Sequence, residues 1–389
     1  MKEGWEYKKL GDIATYINGF PFKPSDWEDS GKPIIRIQNL TNPQSTFNRC
    51  SRTDIPKKYF VSYGDILISW SATLGVFEWT LEDALLNQHI FKVVFDKVAI
   101  NKQYFRYAIM TSISEMSKHT NGATMKHIRK GDFDNIRIPC PPLSEQQSIV
   151  DYLDSAFAKI DAMKANAEKA LNEAKALFQK ELEEAMTLKE GWEEKSLGEI
   201  CDIFGRIGFR GYTTKDLVQS SSDGAISLSP SNIQDGKMDY SKLTYISWFK
   251  YEESPEIMIF NGDILLVKTG SSYGKSALVQ GLPHEATINP QSVVLKNCKI
   301  NNSFFAYQLR TVRVLDEFNH FVSGTAIPTF SQAKLSTVPI QYPSNDEQQS
   351  IVDTLDSLKS KVDRLQANYD KISQECDALK QAILRQVFE

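Results

Sequence analysis

The stretch EQQSIVDYLDS at residues 145–155 occurs a second time as EQQSIVDTLDS at residues 347–357, with ten of eleven positions identical. A second pair lies upstream of each copy: EGWEYKKLGDI at residues 3–13 and EGWEEKSLGEI at residues 190–200 share eight of eleven positions. A period near 200 residues is far too long for a solenoid repeat. The chain is therefore predicted to contain two homologous domains, each followed by the same kind of connecting segment.

Between these matching ends the two copies have diverged. Only short similarities survive, such as YGDILIS at residues 63–69 and NGDILLV at residues 261–267. The Gly-Asp pair in both is interpreted as a turn. We expect the matching ends to do a job that both domains share, and the diverged middles to do different jobs.

The connecting segments are predicted to be long helices. Neither Gly nor Pro occurs at residues 143–190 or 344–389, and both segments open with a capping-box pattern. Apolar residues recur at alternating spacings of four and three, a heptad pattern typical of coiled coils. About 37 residues would give a helix of roughly 55 Å. We define the seam as the row of residues that faces the other helix; it is predicted to contain Ile149, Leu153, Ile160 and Leu177, and Ile351, Leu355, Leu358, Val362, Leu365, Ile372, Leu379 and Ile383.

The predicted fold class is α/β with mixed helix and strand in each lobe. Runs such as HIFKVVF and QSVVLK are typical of strands, and NKQYFRYAIMTSISEMSKH has helical spacing. Two homologous lobes, residues 1–143 and 190–343, would each be followed by a spacer helix, residues 144–189 and 344–389. The two helices are predicted to pair antiparallel, which would give the chain pseudo-twofold symmetry.

Composition points to a globular protein without a membrane segment. Of 389 residues, 41% are apolar and 11% aromatic, and no apolar run approaches the roughly 20 residues that a bilayer requires. The first residues do not resemble a signal peptide. Five scattered cysteines without a C-x-x-C pair favour the reducing cytoplasm over a disulfide framework or a zinc site. The two helical segments together carry −7 and the two lobes together +3, so a basic face on each lobe is compatible with the net charge of −4.

Polar and basic residues at predicted strand ends and loops are candidates for DNA contact. Arg, Lys, Asn, Gln, Ser and Thr donate hydrogen bonds to base edges and phosphates. The candidates in the first lobe are Arg36, Gln38, Asn39, Ser69, Trp70, Ser71, Thr73, Lys126, His127, Arg129 and Lys130. Those in the second lobe are Arg206, Arg210, Asn232, Lys268, Thr269, Ser271, Ser272, Tyr273, Lys275, Thr325 and Gln332.

Sequence motifs of catalysis are missing. GSSYGKS at residues 270–276 resembles a phosphate-binding loop, but it has three residues between the glycines where the motif needs four. The sequence contains neither a Rossmann glycine pattern nor a nucleophile elbow nor H-E-x-x-H, and its five histidines lack metal-ligand spacing. A binding protein is therefore favoured. Two alternatives stay open: a coiled-coil scaffold that binds only protein, and a DNA-processing enzyme of unrecognised type.

Taken together, the paired lobe starts, the Gly-Asp-Ile-Leu stretches and the EQQSIVD segments resemble the specificity subunits of type I restriction-modification enzymes over essentially the whole chain. The resemblance implies that each lobe recognises one half of a split site in double-stranded DNA and that the helices set the gap between the halves. It also implies two methyltransferase subunits as partners, with restriction subunits that translocate and cut DNA. This chain would have no catalytic residue and no metal; S-adenosylmethionine, ATP and Mg²⁺ would belong to the partner subunits.

Overall fold

The computed structural model describes residues 5–42, 44–71, 73–119, 130–321 and 328–388. The chain divides into two compact units. Unit 1 consists of Met1–Glu168 and Tyr369–Glu389, and unit 2 consists of Lys169–Asn368. Each unit therefore contains one lobe and a part of each long helix. The boundaries of lobes and spacers given above remain a prediction.

Unit 1 begins with the elements of the first lobe. Its strands are β1 (Tyr7–Lys9), β2 (Thr15–Asn18), β3 (Lys32–Ile35), β4 (Asn48–Cys50), β5 (Phe60–Val61), β6 (Ile66–Ser69), β7 (Gly75–Glu78), β8 (Ala84–Leu86), β9 (Ile90–Val94) and β10 (Arg137–Pro139). Its helices are α1 (Leu10–Ile13), α2 (Ile37–Thr41), α3 (Lys102–His119), α4 (Lys130–Asp134) and the first part of α5 (Leu143–Ala185).

Unit 2 contains the elements of the second lobe. Its strands are β11 (Glu193–Ser196), β12 (Asp202–Gly205), β13 (Leu217–Val218), β14 (Gly224–Leu228), β15 (Ile233–Gln234), β16 (Lys237–Met238), β17 (Tyr245–Ser247), β18 (Met258–Ile259), β19 (Ile264–Val267), β20 (Ser276–Leu278), β21 (Ala286–Ile288), β22 (Ser292–Lys296) and β23 (Pro339–Tyr342). Its helices are α6 (Leu197–Ile200), α7 (Trp248–Glu252), α8 (Asn302–Gln308), α9 (Val312–Phe321), α10 (Gln332–Leu335) and the first part of α11 (Asn345–Phe388).

The same sheets are built in both units. In unit 1 one sheet has the order β2-β9-β6-β7 and another has the order β4-β3-β8-β5, in which β3 and β8 are parallel. Unit 2 repeats the first as β12-β22-β19-β20 and the second as β13-β17-β14-β21-β18, with β14 and β21 parallel. In each unit a two-stranded ribbon, β1-β10 or β11-β23, joins the lobe start to the segment just before the long helix. The predicted fold class is confirmed.

Continuous apolar runs explain why the central strands are buried. In β6 and in β19 all four residues are buried, as expected for strands covered on both faces. The core of unit 1 packs these strands against Tyr104 and Phe105 of α3 and against Leu153 of α5. In unit 2, Phe304, Phe305 and Leu355 take the corresponding places. Each long helix is thus part of a lobe core and not only a spacer.

The long helices pair antiparallel within each unit. In unit 1 the Lys164 ammonium lies 3.6 Å from the Asp377 carboxylate, and Lys380 lies 5.5 Å from the Phe157 ring centroid. In unit 2 Lys175 donates a 2.8 Å hydrogen bond to Gln366, and Lys359 lies 5.8 Å from the Phe178 ring. Residue numbers rise along one helix and fall along the other, as predicted for antiparallel pairing.

Of the twelve predicted seam residues, five are buried, four are half-buried and three are exposed, and at the three exposed positions the packing face is displaced by one residue. Leu153, Ile160, Ile351, Leu355 and Val362 are buried as predicted. By contrast, side chains at Leu177, Leu365 and Leu379 are 53%, 37% and 48% exposed, while Ile149, Leu358, Ile372 and Ile383 are half-buried. The residues that follow the three exposed leucines, Phe178, Gln366 and Lys380, face the partner helix instead.

The reason for this displacement is that Lys and Gln occupy seam positions. The ammonium groups of Lys359 and Lys380 lie over the rings of Phe178 and Phe157 on the other helix, as cation–π pairs. A heptad pattern that considers only apolar residues misses such side chains. None of the described helices is long and apolar enough to cross a membrane.

Candidate nucleic-acid interface

The repeated EQQSIVD segment attaches each long helix to its lobe. Gln146 is buried; its side-chain oxygen accepts a 2.9 Å hydrogen bond from the Asn101 backbone N–H, and its amide donates to the Pro141 carbonyl at 2.8 Å. In unit 2 Gln348 does the same with Asn301 and Pro343, at 2.8 Å in both bonds.

A second contact of this kind lies about two turns further along each helix. Tyr107 donates to Asp154, and Tyr307 donates to Asp356 at 2.6 Å. Burial and the neighbouring carboxylate raise the pKa of both tyrosines. The near-identity of the two segments therefore reflects one structural attachment made twice.

The Gly-Asp turns are also structural. Asp65 accepts a backbone hydrogen bond from Ser62 and lies 2.7 Å from Lys92, and Asp263 accepts one from Phe260 and lies 3.0 Å from Lys296. The turn interpretation of this motif is confirmed.

Two asparagines among the DNA-contact candidates hold loops. Asn39 accepts the Arg36 backbone N–H at 3.0 Å and donates to the Ser45 and Thr46 carbonyls. In unit 2 Asn232 accepts the Ser229 N–H at 3.0 Å and donates to two carbonyls, both at 3.0 Å. Both side chains are buried, so their amides shape the loop after the strand rather than project from it.

Arg206 is likewise enclosed. Its guanidinium donates to the Ile288 carbonyl at 3.2 Å and to the Thr287 hydroxyl at 3.1 Å, and it is only 6% exposed. Arg210, which is half-buried, forms an ion pair with Glu256 at 3.2 Å. These two residues hold unit 2 together in this conformation, and their assignment as DNA contacts stays a prediction.

In unit 1 two of the candidates, Arg36 and Trp70, contact aromatic side chains. Arg36 lies 5.4 Å from the Trp27 ring centroid, and Trp27 is 42% exposed. Trp70 stacks on Phe91 at 5.6 Å and donates to Asn18. Trp27 was not among the sequence candidates, because its contact with Arg36 depends on loops that the pattern does not specify.

The remaining candidates of unit 1 differ in exposure. Ser69 and Ser71 are buried, and the Ser69 hydroxyl bonds to the Thr73 carbonyl. Gln38 and Thr73 are exposed. Lys130 is exposed and pairs with Asp134 at 2.9 Å. The candidates Lys126, His127 and Arg129, and Thr325 in the second lobe, lie outside the described residues.

In unit 2 several candidates converge beside the backbone of Gly205. A Cβ atom at residue 205 would lie 3.6 Å from the Lys268 ammonium and 3.4 Å from the Gln332 side-chain oxygen. Next to them the hydroxyls of Thr269 and Thr329 are 2.8 Å apart. Burial lowers the pKa of Lys268. The loop after β19 and the segment before α10 thus form one polar surface that contains a partly desolvated cation.

The rest of that loop is more open. Ser271 and Lys275 are exposed, Ser272 is half-buried, and Tyr273 donates to Asn319. Strand β20 begins at Ser276, the last residue of the GSSYGKS segment, so this segment leads into a strand and not into a helix. Among the described residues, no group of three or more His, Cys, Asp or Glu side chains could hold a metal ion.

Comparison with known proteins identifies the chain's relatives. The family profile "Type I restriction modification DNA specificity domain" matches residues 2–173 and 189–374, once per lobe. The chain belongs to the type I restriction-modification DNA specificity family.

Relatives of this family span the whole chain. It is 24% identical to the specificity subunit of the type I restriction enzyme EcoBI from Escherichia coli, with 100% of this chain and 86% of that protein covered. It is 24% identical to the MjaVIII specificity subunit from Methanocaldococcus jannaschii, with 93% and 88% covered. A solved structure described as "Structural basis underlying complex assembly and conformational transition of the type I R-M system" matches with a TM-score of 0.72, 17% identity and 100% and 98% coverage. That likeness confirms the fold.

Proposed function

We propose that this chain recognises DNA sequence for a type I restriction-modification complex, each lobe binding one half of a bipartite site in double-stranded DNA. The observation that carries the proposal is the contrast between framework and loops. The attachments at Gln146 and Gln348 are the same in both units, whereas the loops that follow β6 and β19 carry different polar residues. Two equal frameworks with unequal loops suit two half-sites of unequal sequence.

The chemistry of those loops supports base and phosphate contact. In unit 2 Lys268 supplies a cation beside the Gly205 backbone; the Gln332 side-chain oxygen lies there too, while its amide N–H donates to the Ile203 carbonyl. Lysine and glutamine side chains are among those that hydrogen-bond base edges in the major groove. In unit 1 the Arg36–Trp27 pair offers a guanidinium over a partly exposed ring.

We further propose that the chain has no catalytic role of its own and works in the cytoplasm. Two methyltransferase subunits would dock on it and supply S-adenosylmethionine chemistry, and restriction subunits would add ATP- and Mg²⁺-dependent translocation and cleavage. Support comes from the relatives of the chain, which are specificity subunits of type I restriction enzymes.

A lobe exchange tests the proposal. Residues 14–140 are replaced by the same segment of another family member, and the chain is co-expressed with its methyltransferase subunit. Single-molecule sequencing then maps the methylated bases. We expect a split site whose one half changes while the other half is retained; a change in both halves contradicts independent lobes.

Two controls separate the alternatives. The chain without its methyltransferase should leave DNA unmodified. An enzyme with its own chemistry would instead modify or cut the DNA. A scaffold that binds only protein would assemble with the methyltransferase but confer no sequence preference.

A further inference from the structure

Arg310 lies in unit 2 between two adjacent cavities, of about 270 Å³ and about 490 Å³, and lines both of them. Gly236 lines both as well. A Cβ atom at residue 236 would lie 2.3 Å from Arg310 Nη1 and 2.4 Å from its Cζ. Gly236 also has a φ of 76°, in the left-handed region that favours glycine. The guanidinium therefore packs directly on the Gly236 backbone, which only glycine permits.

The Arg310 guanidinium is partly desolvated and unpaired. No described residue accepts a hydrogen bond from it, and burial lowers the pKa of Arg310. Two carboxylates line these cavities: Asp356, in the smaller one, accepts the Tyr307 hydroxyl, and Asp235, in the larger one, attracts Arg310 without accepting a hydrogen bond from it. Arg310 is half-buried and borders both cavities, so its guanidinium loses part of its hydration without gaining a protein acceptor, at a cost in free energy. A bound anion would remove that cost.

The surroundings of Arg310 fit an anion carrying several acceptor oxygens. Lys237 and Lys359 line the smaller cavity and Lys275 lines the larger one. Ser303 and Gln280 add neutral donors to the smaller cavity. A guanidinium can offer two parallel hydrogen bonds to an oxyanion, which favours phosphate over a halide.

We propose that Arg310, seated on Gly236, forms a binding site for a phosphate group, either a phosphodiester of bound DNA or a free phosphate. If the bound phosphate belongs to DNA, the inference rests on the proposed function; if it is a free phosphate, the inference does not. The site is specific to the second lobe. The repeat aligns Asn301 and Tyr307 with Asn101 and Tyr107 of unit 1, and so aligns Arg310 with Met110, which packs against the core there.

Substitution by the residue of the other lobe provides the test. Arg310→Met installs the side chain that unit 1 carries, and Arg364→Met, at an exposed position of α11, is the matched control. The first measurement is the thermal unfolding midpoint of the full chain in inorganic phosphate or pyrophosphate, against chloride at equal ionic strength. We expect a rise of several degrees for the natural chain and for Arg364→Met, and none for Arg310→Met.

The second measurement is the salt dependence of DNA affinity for the complex with its methyltransferase subunit. A lost phosphodiester contact should reduce the slope of log affinity against log salt by about 0.9 and weaken all DNA sequences about equally. Loss of the phosphate effect alone assigns a free phosphate, and loss of slope assigns the DNA backbone. If Arg310→Met changes neither, the proposal is overturned.

Two further outcomes are covered. Should Arg310→Met fail to fold, Gly236→Ala displaces the guanidinium without removing it and should give the same losses. If the natural complex binds no DNA at all, the proposed function fails, while the phosphate measurement still decides this site.

Discussion

At the scale of single residues, the structure separates side chains that build the frame from those that can face a ligand. Gln146, Asn39 and Arg206 are buried with their polar atoms bonded inside the lobe. Lys268 and Lys275 are more open and lie on a loop. Residue type alone cannot make this separation, because Asn and Arg suit a base edge and a loop carbonyl equally well.

The attachment by Gln348 should contribute measurably to stability. Gln348→Leu leaves the Asn301 N–H and the Pro343 carbonyl without their partner, at a cost of at least about 2 kcal/mol. The thermal midpoint of the chain should fall by roughly 4–8 °C. Gln349→Leu, at the exposed neighbouring position, should shift it much less. Equal effects of the two variants would contradict the structural role of Gln348.

Lys268 should affect which bases are recognised. Because it is partly desolvated beside Gln332, we expect Lys268→Met to relax preference within one half-site by about 1–3 kcal/mol. Lys361→Met, at an exposed position of the long helix, is the control. The measurement is affinity of the assembled complex for DNA with single substitutions in each half-site. A uniform loss over all sequences would show instead that Lys268 contacts phosphate.

At the scale of elements, the sequence predicts the helices well and their packing faces less well. The absence of Gly and Pro, together with the capping-box patterns, predicted where α5 and α11 lie. The heptad spacing predicted that the two helices pair. The seam prediction failed at Leu365 and Leu379 because these apolar residues lie on an exposed face, while Lys359 and Lys380 contact aromatic rings of the other helix. The loop sites were less predictable, since Lys268, Gly205 and Gln332 meet only after the sheet has formed.

A pair of substitutions tests the corrected seam. Leu355 lies on α11 and is fully buried in the lobe core. Leu355→Asp should lower the free energy of unfolding by several kcal/mol, because it places a carboxylate where water is excluded. Leu379→Asp, at a side chain 48% exposed, should cost less than about 1 kcal/mol. Chemical denaturation of both variants makes the comparison. The original seam assignment would be restored if Leu379→Asp were as damaging as Leu355→Asp.

At the scale of the whole molecule, each long helix belongs to both units. Helix α5 runs from Leu143 to Ala185 and α11 from Asn345 to Phe388, and each passes from one unit into the other. At 1.5 Å per residue, α5 is about 65 Å long. If each lobe binds one half-site, as proposed, the length of this helical pair should determine how many base pairs separate the halves.

Insertion of a heptad into both helices tests that idea. Seven residues restore the alternation of four and three, so a heptad after Glu168 and another after Asn368 keep both seams in step, whereas four residues in α5 alone would not. Each insertion adds about 10 Å. Since DNA rises about 3.4 Å per base pair, the gap in the methylated site should grow by about three base pairs, with both half-sites unchanged. The same heptad inserted in the exposed turn at Ser221 should leave the gap as it was. If the lengthened chain assembles with its methyltransferase and still modifies the original spacing, the helices do not set the gap.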